Sequence, residues 1–160
     1  MGVAGCGKTT VGKALAQELG WQFKDADDYH PRKNKEKMRQ GSPLDDSDRK
    51  PWLEILRDQI DLWHVKNVPT VLACSALKRS YRELLTEKSQ ALFIYLKTDR
   101  QVLEKRLLSR SHEYMNPDLL DSQLKTLEEP ESAYTVDGNC ELEEIVSRLT
   151  DWLCSCPDES

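Results

Sequence analysis

Eight residues near the start of the chain constrain it more than any others. Gly2-Val3-Ala4-Gly5-Cys6-Gly7-Lys8-Thr9 satisfies G-x-x-x-x-G-K-[ST] at each fixed position. Glycines let the backbone curl until successive N–H groups converge, and such a nest binds phosphate oxygens. The spacing of Val11, Ala14, Leu15 and Leu19 predicts a helix from about Lys8 to Leu19, stopped by Gly20. Its N-terminus adds partial positive charge to the nest. In this pattern Lys8 reaches the β- and γ-phosphates of a nucleotide, and the Thr9 hydroxyl ligates Mg²⁺.

Such a loop normally follows a buried strand, yet only Met1 precedes Gly2. In a parallel sheet that strand is usually central. The expectation is a sheet lacking its first strand, whether the chain begins inside the natural protein or is a shortened form. Beyond the loop, helical and strand signals alternate, the mark of an α/β domain with a parallel sheet. Strands are predicted at Trp21–Phe23, Thr70–Cys74, Leu92–Leu96 and Tyr134–Val136. Helices are predicted at Pro31–Arg39, from Asp48 as cap with Pro51 in the first turn, at Lys78–Leu85, from about Val102 to Arg110, at Asp118–Leu127 and from Leu142 to Leu153.

The 160 residues suit one compact domain spanning 1–160, with no repeat or linker. Five cysteines without CxxC pairing fit free thiols in a reducing compartment, which points to the cytoplasm, and no apolar run approaches the ~20 residues of a membrane span. The net charge of −5 is uneven: residues 121–160 hold 11 acids and 2 bases, residues 1–120 hold 17 acids and 21 bases. A small anionic ligand is expected on the first 120 residues. A nucleic-acid reader would carry a broader basic surface.

Three further stretches carry chemistry. In Asp25-Ala26-Asp27-Asp28-Tyr29-His30-Pro31, carboxylates at a strand end can hold Mg²⁺ and accept a proton from an attacking hydroxyl. An acidic turn capping a helix is the alternative. Lys78 and Arg82 follow a strand, where ligands sit in open α/β sheets, and fall on one helical face. They read as an anion site or as a solvated helix start. Arg106, Arg110 and His112 flank a polar segment that could close over a transferring phosphoryl group, with a solvated helix face as the other reading.

The blocks GVAGCGKTT, DADDYHP, NKEKMRQGSPLDDSDRKPWL, VLACSALKRSYRE, IYLK and SQLKTLEEP together resemble the gluconokinase family through nearly the whole chain. The resemblance implies a three-layer phosphate-loop kinase fold, similar to shikimate and nucleoside monophosphate kinases, with a helical substrate-binding part at about 28–66 and a lid at about 110–117. It implies transfer of phosphate from ATP, with Mg²⁺, to D-gluconate, feeding the pentose phosphate pathway. Carried over by residue, Gly2, Val3, Ala4, Gly5, Cys6, Gly7, Lys8, Thr9 and Thr10 would bind ATP phosphates together with Arg106, while Thr9 and Asp25 would hold the metal. Asp27 would orient or deprotonate the sugar hydroxyl, Lys8 and Arg110 completing the catalytic set. His30, Arg49, Lys78, Tyr81, Arg82, His112 and Gln123 would line the sugar-acid pocket. The expected partners are therefore small molecules, neither nucleic acid nor membrane, with a homodimer left open. A kinase of another small acid, and a nucleotide-binding regulatory form without turnover, are the rival readings. The lid departs from the family pattern at His112-Glu113-Tyr114-Met115.

Overall fold

In a computed structural model of the chain, residues 1–109 and 117–155 are described. The candidate lid residues Arg110 and His112, together with Cys156, lie outside the described residues. Seven helices and four strands follow in order among those described. They begin with α1 (Lys8–Leu19), β1 (Gln22–Asp25), a 3₁₀ turn (Ala26–Tyr29), α2 (Arg32–Arg39), α3 (Asp46–Val65), β2 (Thr70–Ala73) and α4 (Arg79–Leu85). Then come β3 (Ile94–Lys97), α5 (Arg100–Ser109), α6 (Pro117–Thr126), β4 (Tyr134–Asp137) and α7 (Leu142–Ser155). The four described cysteines are free.

The strands form two parallel pairs. β1 pairs with β2 in the register Gln22↔Thr70 to Asp25↔Ala73, and β3 pairs with β4 from Ile94↔Tyr134 to Lys97↔Asp137. Between the pairs, Met1 and Gly2 occupy the end of the slot that the sequence predicts for a first strand. The Met1 carbonyl accepts from Leu96 N–H at 3.0 Å, its amino group donates to the Ile94 carbonyl, and Gly2 N–H donates to the Ser75 carbonyl at 3.2 Å. Behind Met1 lies a cleft of about 530 Å³ whose walls include Val71, Leu72 and Ile94 from the two pairs, Leu92 just ahead of β3, and Val11 and Leu15 from α1. It is apolar because those strands carry side chains suited to burial on both faces.

Two cores correspond to the two pairs. Val3, Val11, Leu15, Leu96, Leu103, Leu120, Val136, Ile145 and Leu149 pack α1, α5, α6 and α7 around β3 and β4. Ala26, Trp52, Leu53, Leu56, Cys74, Tyr81 and Leu85 pack α3 and α4 beside β2. Helix α1 lies against β1, β2 and α7, so it joins the halves.

One boundary moves. Asp45, not Asp48, caps α3: its carboxylate accepts from Asp48 N–H at 2.9 Å, and the Asp48 carboxylate returns the bond to Asp45 N–H at 3.1 Å. This is a reciprocal capping box built from two aspartates. Pro51 therefore lies in the second turn rather than the first, and Ser47 O forgoes the helical bond that residue 51 would otherwise donate.

Candidate active site

The loop from Gly2 to Thr9 turns on left-handed backbone. Gly7, the N-cap of α1, has φ 99°, a conformation that costs little only without a Cβ. At Gly2, φ is 142° and an added Cβ would stand 2.8 Å from Cys6 Sγ. Lys8 Nζ donates to the Val3 carbonyl at 2.9 Å, so the ammonium lies over the loop. Helix α5 closes the loop's other side through Leu107, whose side chain would be 3.2 Å from a Cβ at Gly5. Arg106, half-buried, is the preceding residue on that helix. Thr10 is exposed in the first turn of α1.

Two oxygen donors meet beside the loop. Thr9 Oγ1 donates to Asp25 Oδ2 at 3.0 Å, and Asp25 Oδ1 accepts from Asp27 N–H at 3.1 Å. Hard oxygen ligands of this kind, a hydroxyl and a carboxylate at the mouth of a phosphate nest, fit Mg²⁺, which takes few protein ligands and keeps water and phosphate for the rest. The Asp27 side chain is exposed, with the rest of the site on one side of it. That partial desolvation, then the charge of Asp25, raises its pKa above the usual carboxylate value, with Lys8 pulling the other way.

His30 is buried and stacks on Trp52, centroids 4.3 Å apart at 15°. Its Nε2 lies 3.8 Å from Asp27 Oδ1. Burial, with Lys35 and Arg49 nearby, pushes its pKa down to about 4, so the ring is neutral at pH 7. Arg49 Nη1 donates to the Tyr81 phenol at 3.5 Å, the phenol donates to Asp46, and Lys78 Nζ donates to Asp46 Oδ2 at 2.6 Å. Arg49, Lys78 and Tyr81 are thus brought together across the N-termini of α3 and α4. Asp46 is the member the sequence reading passed over. Its signal was available: the run Asp45-Asp46-Ser47-Asp48 holds more acid than one cap requires.

Two residues take other places. Arg82 is buried, and Nη1 donates to the carbonyls of Ala76 at 2.9 Å and Leu77 at 3.1 Å, so it braces the loop from β2 to α4. Gln123, on α6, accepts from Ala4 N–H at 2.7 Å and so touches the phosphate loop itself.

Residues 4–153 match the shikimate kinase family. A probable gluconokinase from Xenopus tropicalis is 44% identical over 93% of this chain and 88% of its own length. The chain belongs to the shikimate kinase family, and within it to the gluconokinases. A thermoresistant gluconokinase from Escherichia coli is 43% identical over 92% of this chain and 87% of its own. The crystal structure of a gluconokinase from Sinorhizobium meliloti superposes with a TM-score of 0.82 at 38% identity, covering 96% of this chain and 93% of that one. The fold expected from the resemblance, an α/β phosphate-loop kinase, is therefore present, and the gluconokinase family gives the site its context. No helix among the described residues is long and apolar enough to cross a membrane.

Proposed function

We propose that this chain is a gluconokinase, transferring the γ-phosphoryl group of ATP to D-gluconate to form 6-phospho-D-gluconate. The observation that carries the reading is the hydrogen-bonded run from Thr9 to Asp25 to Asp27, which sets the nucleotide side and the hydroxyl side of the site in sequence along one short path. The similarity to gluconokinases over more than nine-tenths of the chain supports the sugar acid as the acceptor.

The loop from Gly2 to Thr9, with Thr10 and Arg106 beside it, holds the phosphates through Lys8 and through the amides that are not already donating to Ser75, Val3 and Gln123. Thr9 and Asp25 would hold Mg²⁺, which supplies neutralising charge for the β- and γ-oxygens when bound. Asp27 accepts the proton of the sugar hydroxyl, and its raised pKa suits a base that must take and later release a proton. Arg49 and Lys78, with Tyr81, offer cations to a carboxylate on the face opposite the nucleotide. Gln123 links α6 to the loop, and Arg110 and His112 belong to the lid of this reading. Little covalent chemistry falls to the protein, since phosphoryl transfer depends on alignment and charge neutralisation. The substrate-binding part is about 28–66, the compartment the cytoplasm.

The test is a substrate panel with ATP and Mg²⁺. Gluconate is phosphorylated, shown as 6-phosphogluconate by ³¹P NMR, while glucose is a poor acceptor because it offers the half-buried Arg49 and Lys78 no carboxylate to pair with. Comparable kcat/KM for glucose and gluconate, or a preference for shikimate, would refute the assignment.

A further inference from the structure

Asn34, on α2, is only 3% exposed. Its Nδ2 donates to the Asp48 carbonyl at 2.7 Å, and a carbonyl only accepts, so the amide orientation is fixed. The same NH₂ group faces His30 Nδ1 at 3.5 Å. A ring nitrogen facing a donor carries no proton, which leaves the ring hydrogen on Nε2, the nitrogen 3.8 Å from Asp27 Oδ1. The opposite constraint comes from Trp52. Its indole lies parallel to the imidazole, and its Nε1–H is tied to the Ala26 carbonyl at 2.8 Å, so the stacking partner cannot rotate away. Helix α2, helix α3 and the 3₁₀ turn thus converge on one imidazole.

We infer that Asn34 and Trp52 are positioning residues that hold His30 in its Nε2–H tautomer and present that hydrogen to the acceptor hydroxyl beside Asp27. The inference rests on the reading of Asp27 and His30 as the sugar side of the site. Its chemistry differs from that of a cationic histidine. A neutral donor orients a hydroxyl oxygen without pairing with the Asp27 carboxylate or competing with Arg49 for the substrate's own. The charged groups facing the ring are Asp27 from its own turn, Lys35 from α2 and Arg49 from α3. The two cations outnumber the one acid and oppose a second proton.

Ring ¹⁵N and ¹³C shifts of His30 in the intact protein at pH 7, with and without gluconate, report the tautomer directly. The Nε2–H form is expected in both. Asn34→Asp replaces the donor with an acceptor and should move the hydrogen to Nδ1. Because that change also removes the bond to Asp48, a second pair of variants reads the same point through turnover. In His30→Gln the side-chain amide nitrogen falls near the place of Nε2, whereas in His30→Asn it falls near Nδ1. The glutamine variant should keep kcat/KM within about tenfold of the parent, and the asparagine variant should lose about a hundredfold or more, mostly in kcat. An Nδ1–H ring in the parent, or equal losses in the two variants, would overturn the inference. The spectrum needs no turnover, so a protein that phosphorylates no sugar acid would refute the proposed activity while the tautomer was still read.

Discussion

A point charge on a phosphate is the hardest contact to replace. Lys8→Ala removes the ammonium that lies over the loop, and kcat/KM should fall by about 100-fold or more while the melting temperature changes little. Turnover within a few-fold of the parent would remove Lys8 from the phosphate site. Arg82 works in the opposite sense, on stability. Ala76 has φ 44°, a strained conformation for a residue with a Cβ, and Arg82 donates to its carbonyl and to the next. Arg82→Met strands the Ala76 carbonyl at a cost of roughly 1–3 kcal/mol, while the Leu77 carbonyl keeps its bond from Glu128 N–H, so the protein should melt a few degrees lower. An unchanged melt would show that the loop braces itself. His30 sets a pH dependence whose sign follows from its pKa of about 4 folded against 6.5 unfolded. As pH falls below 6.5 the unfolded chain takes up the proton first, so this stability is complete above about 6.5 and is lost on the way down to 4. Asp27, Lys35 and Arg49 are the charged groups facing the ring, and the parent should lose up to about 3 kcal/mol more than His30→Gln across that window by denaturant titration. Parallel profiles would show that the ring titrates normally.

At the scale of the strand, alternation makes a sharper statement. Gln22 N–H donates to the Pro69 carbonyl and Tyr134 N–H to the Phe93 carbonyl, so Val71 and Tyr95 face their paired strands. Thr70, Leu72 and Ile94 then turn their N–H groups toward the cleft. Amide exchange at these three should outpace that at Val71 and Tyr95 by about tenfold or more. Joining an apolar strand of about six residues ahead of Met1 should slow those three amides, raise the melting temperature and increase turnover, because each buried group gaining a partner recovers roughly 1–3 kcal/mol. Equal melts and equal exchange with and without the added strand would mean that the cleft accepts no such strand. The four strands were legible in the sequence, since Phe23, Val71, Ile94 and Tyr134 sit in short runs of strand-forming residues between helical stretches. The start of α3 was not. Asp45 and Asp48 are equally good caps by residue type, and the choice falls to packing, where Lys37 is drawn onto the Asp48 carboxylate. Arg82 was illegible for a similar reason: an alanine at positive φ leaves no mark in the sequence, so nothing showed that a cation would be spent on two carbonyls.

Over the whole molecule, charge is divided between the two ends of the chain. Residues 1–120 carry the excess of bases and all of the described groups proposed to touch ATP or gluconate except Gln123, while residues 121–160 carry 11 acids. Both substrates are anions, so part of their attraction is long-range and falls off over a Debye length of about 10 Å at 0.1 M salt. Raising the ionic strength to about 0.5 M should increase KM for gluconate and ATP by a few-fold and leave kcat nearly unchanged. An insensitive KM would show that contact geometry alone captures them. The division into two strand pairs has a different consequence. One sheet of four strands has two edges, whereas two pairs have four, and among the described residues the inner two are lined by Thr70, Leu72 and Ile94 with Met1 and Gly2 reaching between them. Proteins guard edges with charge or proline, and these carry uncharged side chains instead, two of them apolar. The cleft is thus a template for any extended segment of matching register, whether this chain or another contributes it.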